Sequence, residues 1–303
     1  MADSHGHHHH THDVGNISGR KIFWVTVLNA AITAAEVVGG LISGSLALLS
    51  DSIHNLSDTI AVALSYFANK IARKPKTRQK TFGYKRAEII AAFINSSVLL
   101  ALSIMLLIEA YKRFRNPEPI DGTLMITVAL IGLAANLFSV LLLKKDSQSS
   151  MNIKASYLHL LSDTISSVGV VLGGIAIQIW SVTWIDPLIT LFISLYIIRE
   201  TWLIIKKTVD ILMQSSPEID LTGIKKSVEK IEHVRNIHHI HTWMIDEKTS
   251  MFEAHVEIED MMLSDVEKIY PKIEEVLKEQ FDIDHITLQA EVDQCCDKGI
   301  IKQ

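Results

Sequence analysis

From about Ile22 to Ile205 the chain is a succession of apolar blocks, and after Lys207 the pattern breaks into short amphipathic segments. Six blocks, near residues 22–43, 46–70, 88–112, 123–144, 155–179 and 184–205, are each long enough to cross the membrane. A helix needs roughly 20 residues to span about 30 Å of hydrocarbon. The run from Ser97 to Ile108 lacks the polar stripe, recurring every third or fourth position, that a helix of a soluble bundle turns to water. The pattern therefore predicts six transmembrane helices rather than a soluble bundle.

The last hundred or so residues follow a different rhythm. A helix is expected near 218–232, strands near 237–245 and 250–258, a helix near 264–280 and a strand near 285–292. Alternation is clean at Phe252, Ala254, Val256 and Ile258, and again at Ile286, Leu288 and Ala290. Ser264-Asp265-Val266-Glu267 reads as a capping box opening the second helix, and Pro271 weakens the case for its continuity. The order α-β-β-α-β suits a small sheet with helices on one face and the other face open to a partner. The expected division is a His-rich tail over 1–20, an all-α six-helix transmembrane domain over 21–207, a small α+β domain over 208–292 and a tail over 293–303.

Charge sets the orientation. The formal net charge of −5 hides a split, because basic residues crowd certain short connections. Lys70, Arg73, Lys74, Lys76, Arg78, Lys80, Lys85 and Arg86 follow the second span, Lys144, Lys145 and Lys154 follow the fourth, and Arg20 and Lys21 precede the first. The loops around Gly44 and Val182 carry no Lys or Arg; only Lys112, Arg113 and Arg115 after the third span run against the pattern. The positive-inside rule then puts both termini and the C-terminal domain in the cytoplasm. No secretory signal is evident in the polar first twenty residues. The stretch Ser4–His12 is interrupted by Gly6 and Thr11, which favours a native metal-gathering tail over a purification tag. The chain has only two cysteines, Cys295 and Cys296, and an adjacent pair makes a poor structural disulfide, consistent with a reducing compartment. No nucleic-acid partner is expected.

Ionisable groups inside a span cost several kcal/mol, so each needs a reason. The second span holds His54 and Asp58, and the fifth holds His159 and Asp163. A separation of four residues places each pair one turn apart on one helix face. Two such faces opposed across a bundle offer two imidazoles and two carboxylates to one point. That is a tetrahedral set suited to Zn²⁺ and acceptable to Co²⁺ or Cd²⁺, whereas Mg²⁺ or Ca²⁺ would call for more oxygen ligands. No Lys or Arg lies at matching depth to pair with the aspartates instead. Asp51, one turn before His54, is either a partner that orients the imidazole or a helix-end residue facing a vestibule. Glu36 in the first span is a weaker candidate for lining the same cavity.

The stretch from Gly44 to Asp58, the pairs His54/Asp58 and His159/Asp163, and Lys80-Thr81-Phe82-Gly83-Tyr84 resemble the cation diffusion facilitator family. The likeness is greatest to bacterial cobalt–zinc–cadmium resistance transporters and the related zinc transporters of animals, and it covers nearly the whole chain. It implies a homodimer of six-span protomers in a bacterial inner (plasma) membrane, exchanging cytoplasmic Zn²⁺ for protons, with a metallochaperone-like (ferredoxin-like) cytoplasmic domain. It also implies that His238, His255 and Glu291 fall where relatives bind regulatory Zn²⁺ at the dimer interface. His238, His239 and His241 cluster on one strand, and His241, Cys295 and Cys296 are further candidate ligands there; Gln289 stands where some relatives have a histidine. Lys80 and Tyr84 occupy positions where some relatives bind a second ion, so no such site is expected, and the basic loop is expected to meet lipid headgroups or the partner protomer.

The functional expectation is alternating access with no catalytic residue and no resident cofactor, Zn²⁺ being cargo and a regulatory ligand. Metal binding requires neutral imidazole and ionised carboxylate, so loading and proton release are one event. A membrane-anchored metal sensor would not need ligands repeated in two spans. An intramembrane metallohydrolase would need an open coordination position and a motif such as His-Glu-x-x-His, which the chain lacks.

Overall fold

The structure is a computed structural model that describes residues 14–144, 151–294 and 299–300. Among these, six long helices come first: α1 (Val14–Ser43), α2 (Leu46–Ala72), α3 (Ala87–Arg115), α4 (Gly122–Lys144), α5 (Met151–Trp180) and α6 (Ile185–Leu212). Most run past the apolar block that predicts them, because extending an established helix costs little. By length and composition α3, α4, α5 from Tyr157 and α6 can each cross a membrane. In α1 the described apolar stretch is shorter, Asn29–Ser43, and α2 falls below the mark because Asp51, His54, Asn55 and Asp58 interrupt it. Val98, Met105, Ile108, Phe138, Leu141 and Phe192 stand exposed on α3, α4 and α6, as side chains facing lipid must.

Two compact units emerge. The first comprises the chain up to Ala63 together with Asn95–Trp202. Its core joins Ala47 and Leu48 of α2 to Met125 and Ala129 of α4 and to Val170, Val171 and Ile177 of α5. Leu46 of α2 packs with Leu106 and Ala110 of α3. Small residues let the helices approach: a Cβ at Gly174 would press on Ile126 of α4, and one at Gly132 would overlap the Glu36 carboxylate.

The start of α2 is anchored from α6. Asp186, fully buried, accepts from the backbone N–H of Leu46 at 2.8 Å and of Ala47 at 3.1 Å, and from Ser45 Oγ at 2.5 Å. Ser45 Oγ in turn accepts from Leu48 N–H at 3.1 Å. A helix leaves its first amides without intrahelical partners, and here a carboxylate from a distant helix takes two of them. Arg113 donates to the carbonyl of Gly44, which sits in the left-handed region at φ 74°, and its other nitrogen lies 3.3 Å from Glu118. The arginine that runs against the charge pattern of the loops thus has a structural task in the α1–α2 turn.

The second unit comprises Leu64–Ile94 and the chain from Leu203 onward. It contains α7 (Leu221–Val228), β1 (Val234–Met244), β2 (Ser250–Ile258), α8 (Leu263–Phe281) and β3 (His285–Glu291). Among the described residues the sheet has three strands in the order β1-β2-β3, the first pair antiparallel and the second parallel. Phe252, Ala254, Val256 and Ile258 face the helices and meet Ile224 of α7 and Val266, Ile269, Ile273 and Leu277 of α8. Two expectations need correction. The first helix is shorter than 218–232, ending at Val228, and the chain turns through His233 at φ 69° before β1. Ser264 and Glu267 do not form a capping box: α8 is capped by Met262, whose carbonyl accepts from the N–H groups of Asp265 and Val266, so Ser264 is already helical. Pro271 lies within α8 without ending it. In the basic α2–α3 loop, Lys85 donates to Thr249 Oγ1 at 2.8 Å and lies 3.8 Å from Asp246, so this lysine meets the β1–β2 turn.

Removing the Asp186 carboxylate would strand the buried Leu46 and Ala47 amides and the Ser45 hydroxyl. Asp186→Ala is expected to cost about 2–4 kcal/mol, read as a lower midpoint of heat inactivation in detergent. Asp186→Asn should fall between the two, since one oxygen must then do the work of two. Equal midpoints for all three proteins would refute the anchoring role.

Candidate metal centre

His54 and Asp58 leave α2 one turn apart, and His159 and Asp163 do the same from α5, so helical geometry alone sets each pair on one face. The bundle then opposes the two faces. His54 Nε2 lies 3.7 Å from Asp58 Oδ2 and 3.8 Å from Asp163 Oδ1. His159 Nε2 lies 3.1 Å from Asp58 Oδ2 and 3.6 Å from Asp163 Oδ2. The two imidazoles meet edge-on with centroids 5.9 Å apart. His54, His159 and Asp163 each offer a ligand atom within 4.8 Å of the others.

The surroundings are graded. Asp163 is almost fully buried at 2% side-chain exposure, whereas His159 is 45% exposed. Asp163 Oδ2 and His54 Nδ1 are buried without a hydrogen-bond partner. A carboxylate in that condition is costly unless a cation or a proton answers it. Beside the cluster lies a cavity of about 310 Å³, lined by His54, Ser162, Asp163, Ser166 and Tyr196 among others, which gives a small ion room to approach.

Asp51 is held by serine hydroxyls of α5. Its two oxygens accept from Ser166 Oγ at 2.6 Å and Ser167 Oγ at 3.2 Å, both on α5. It therefore ties α2 to α5 one turn from the candidate ligands. Glu36, on α1, is 1% exposed and receives Asn55 Nδ2 at 3.3 Å.

A second group of ligand-type side chains forms in the C-terminal domain. His238 and His255 are direct partners across β1 and β2. Glu291 of β3 reaches both, with Oε1 2.8 Å from His238 Nε2 and Oε2 3.1 Å from His255 Nδ1. The third histidine is His239, not His241. Rings 238–239 and 239–255 are each 5.0 Å apart by centroid, and His238, His239 and His255 bring ligand atoms within 4.8 Å. His241 is exposed and pairs instead with Glu253. The cause is a bulge between His238 and His241, with His239 at φ 47°, which breaks strict alternation and turns two successive side chains toward one place. Gln289 is exposed opposite His255. Cys295 and Cys296 lie outside the described residues, as does the His-rich N-terminal tail.

Comparison with known proteins decides the family. A family model described as the cation efflux transmembrane domain matches residues 22–213, and one described as the cation efflux protein cytoplasmic domain matches residues 216–293. The chain belongs to the cation efflux, or cation diffusion facilitator, family. This cation efflux transporter is 36% identical over 289 residues to the metal cation efflux system protein CzcD of Cupriavidus metallidurans, covering 95% of this chain and 90% of that protein. It is 36% identical over 298 residues to the zinc transporter ZitB of Escherichia coli, covering 97% and 94%. It is 35% identical over 289 residues to a cadmium, cobalt and zinc/H(+)-K(+) antiporter of Bacillus subtilis, covering 94% and 92%. The chain is thus an integral membrane transporter of metal cations and not an enzyme.

Two functional placements escape a linear reading of this transporter. Asp186 sits beside Pro187 at a helix start and gives no sign that it caps a different helix. His239 is legible as part of a histidine cluster, but only the bulge reveals that it, rather than His241, joins His238. If the C-terminal cluster takes a divalent ion, His239→Ala is expected to weaken Zn²⁺ binding at that site by about 10-fold or more. His241→Ala should leave it unchanged, as read by calorimetry on the full chain carrying Asp163→Ala to silence the membrane site. The reverse order of effects would contradict the geometry.

Proposed function

We propose that the transporter exports Zn²⁺, with Co²⁺ and Cd²⁺ as further cargo, from the cytoplasm in exchange for protons, using His54, Asp58, His159 and Asp163 as the cargo ligands. The observation that carries this reading is the convergence of all four side chains, from two helices, around a buried carboxylate with no hydrogen-bond partner on Oδ2. Two imidazole nitrogens and two carboxylates form a compact set whose charge cancels that of a divalent ion, leaving the loaded site nearly neutral at membrane depth. The cargo named for the Bacillus subtilis antiporter (cadmium, cobalt and zinc) and for ZitB (zinc) falls within what this donor set suits.

The coupling follows from the ligands. Zn²⁺ binds neutral imidazole and ionised carboxylate, so its arrival displaces protons and its departure lets them return. An empty site crossing back as a protonated one completes a cycle of metal out and protons in. Alternating access is a rocking of helices about this point, with Asp186 and Asp51 keeping α2 in register against α6 and α5. The loop charges favour cytoplasmic termini. A C-terminal domain with its sheet face carrying His238, His239, His255 and Glu291 is suited to bind metal and to pair with a second copy, joining metal level to dimer state.

Proteoliposomes with an acidic interior should take up Zn²⁺ through the wild-type protein, and collapsing the gradient should stop it. Asp163→Ala should reduce uptake to that of protein-free vesicles. Uptake that survives in the variant would remove Asp163 from the ligand set, and uptake indifferent to the gradient in wild type would remove the antiport.

A further inference from the structure

Glu36 stands apart from the four candidate ligands, and the transport scheme above leaves it without a task. It is 1% exposed in the C-terminal half of α1. Gly132 on α4 makes its place, since a Cβ there would overlap the carboxylate, and α4 carries no charged residue before Lys144. Its neighbour on α2 is Asn55, itself 1% exposed and adjacent in sequence to His54. The charged groups that act on Glu36 are Asp51 of α2 and Asp163 of α5, both acidic. Among the described residues no cationic side chain offsets it.

The hydrogen bonding around Glu36 is half made. Asn55 Nδ2 donates to Glu36 Oε2 at 3.3 Å, while Glu36 Oε1 and Asn55 Oδ1 are both buried without a partner. One turn earlier on α1, Thr33 Oγ1 is also buried and unpartnered. A carboxylate and an amide that share one bond can share a second only if the carboxylate carries a proton. Oε1–H would then donate to Asn55 Oδ1 and close a two-bond ring. Without the proton these two acceptors cannot bond each other, and both remain desolvated.

We propose that Glu36 is a proton-binding site of the transport cycle, distinct from the cargo ligands, whose proton is held in the ring with Asn55 and released when metal loads beside Asp163. The inference rests on the proton-antiport reading above. A divalent cation arriving near Asp163 favours the ionised form of Glu36. The O–H bond of Glu36 then breaks, its electron pair stays on the carboxylate, and the proton leaves to water on the side from which metal enters. When metal departs on the far side, a proton from that side restores the acid. Asn55, one residue from His54, registers the change because one of its two bonds to Glu36 is lost.

Glu36→Gln tests this directly, because a glutamine amide can close the same two-bond ring with Asn55 while carrying no exchangeable charge. Protons and Zn²⁺ would be counted together in proteoliposomes of the full chain, using a pH dye and a zinc dye. The variant is expected to move about one proton fewer per Zn²⁺ than wild type and to show a shallower dependence of flux on pH. Should it bind but not transport, proton release on Zn²⁺ binding is measured instead, by calorimetry in two buffers of different ionisation enthalpy; a difference of about one proton is again expected. An unchanged proton count in either measurement overturns the role of Glu36 while leaving antiport intact. A wild-type protein that moves no protons with Zn²⁺ overturns the antiport reading and this inference with it.

Discussion

A carboxylate withdrawn from water into a helix bundle costs several kcal/mol unless something answers its charge. Among the described residues, the membrane part buries Glu36, Asp51, Asp163 and Asp186. Each has a different answer. Asp186 takes the free amides of α2, Asp51 takes two serine hydroxyls of α5, and Glu36 takes half of an asparagine amide. Asp163 lies 3.6 and 3.8 Å from the two imidazoles and has one oxygen without a hydrogen bond. The first two are satisfied and hold the bundle together. The last two are incompletely satisfied, which is the condition of groups that must exchange an ion or a proton.

That division ties stability to function. A two-helix site works only if the faces of α2 and α5 stay in register, since successive residues point about 100° apart around a helix. Asp186 fixes the start of α2, and the Asp51 bonds to Ser166 and Ser167 fix α2 against α5 just beyond His159 and Asp163. The apolar contacts of Ala47 and Leu48 with Val170 and Val171 fill the space between. Polar bonds supply the register and apolar packing supplies the cohesion, so the candidate ligands are held on rigid helices rather than on loops.

Much of this can be read along the chain, and the parts that cannot share a cause. The helices of the membrane region follow from apolar runs, and the two His/Asp pairs follow from their spacing, because both are local properties. The strands with Phe252 to Ile258 and Ile286 to Ala290 are legible for the same reason. The tasks of Asp186 and Asp51 depend on which helix lies opposite, and nothing local reports that. His239 is a subtler case: alternation along β1 would separate it from His238, and a residue at φ 47° within a bulge overrides the alternation. The Ser264 capping box fails because a motif of four residues fits more than one helix start, and here the backbone of Met262 already serves. Helix α7 stops at Val228, and Ile231, the next apolar residue at helical spacing, still packs against the core from the turn that leads through His233.

The claim on which the account stands is that His54, Asp58, His159 and Asp163 bind one ion together. Cobalt tests it most directly, because tetrahedral Co²⁺ absorbs visible light much more strongly than octahedral Co²⁺. The visible spectrum of the full chain carrying His238→Ala and His255→Ala would be recorded during Co²⁺ titration. The account predicts an intense tetrahedral band that saturates at one ion per protomer and disappears when Asp163→Ala is added. A weak octahedral spectrum, or a tetrahedral band that persists without Asp163, would contradict it.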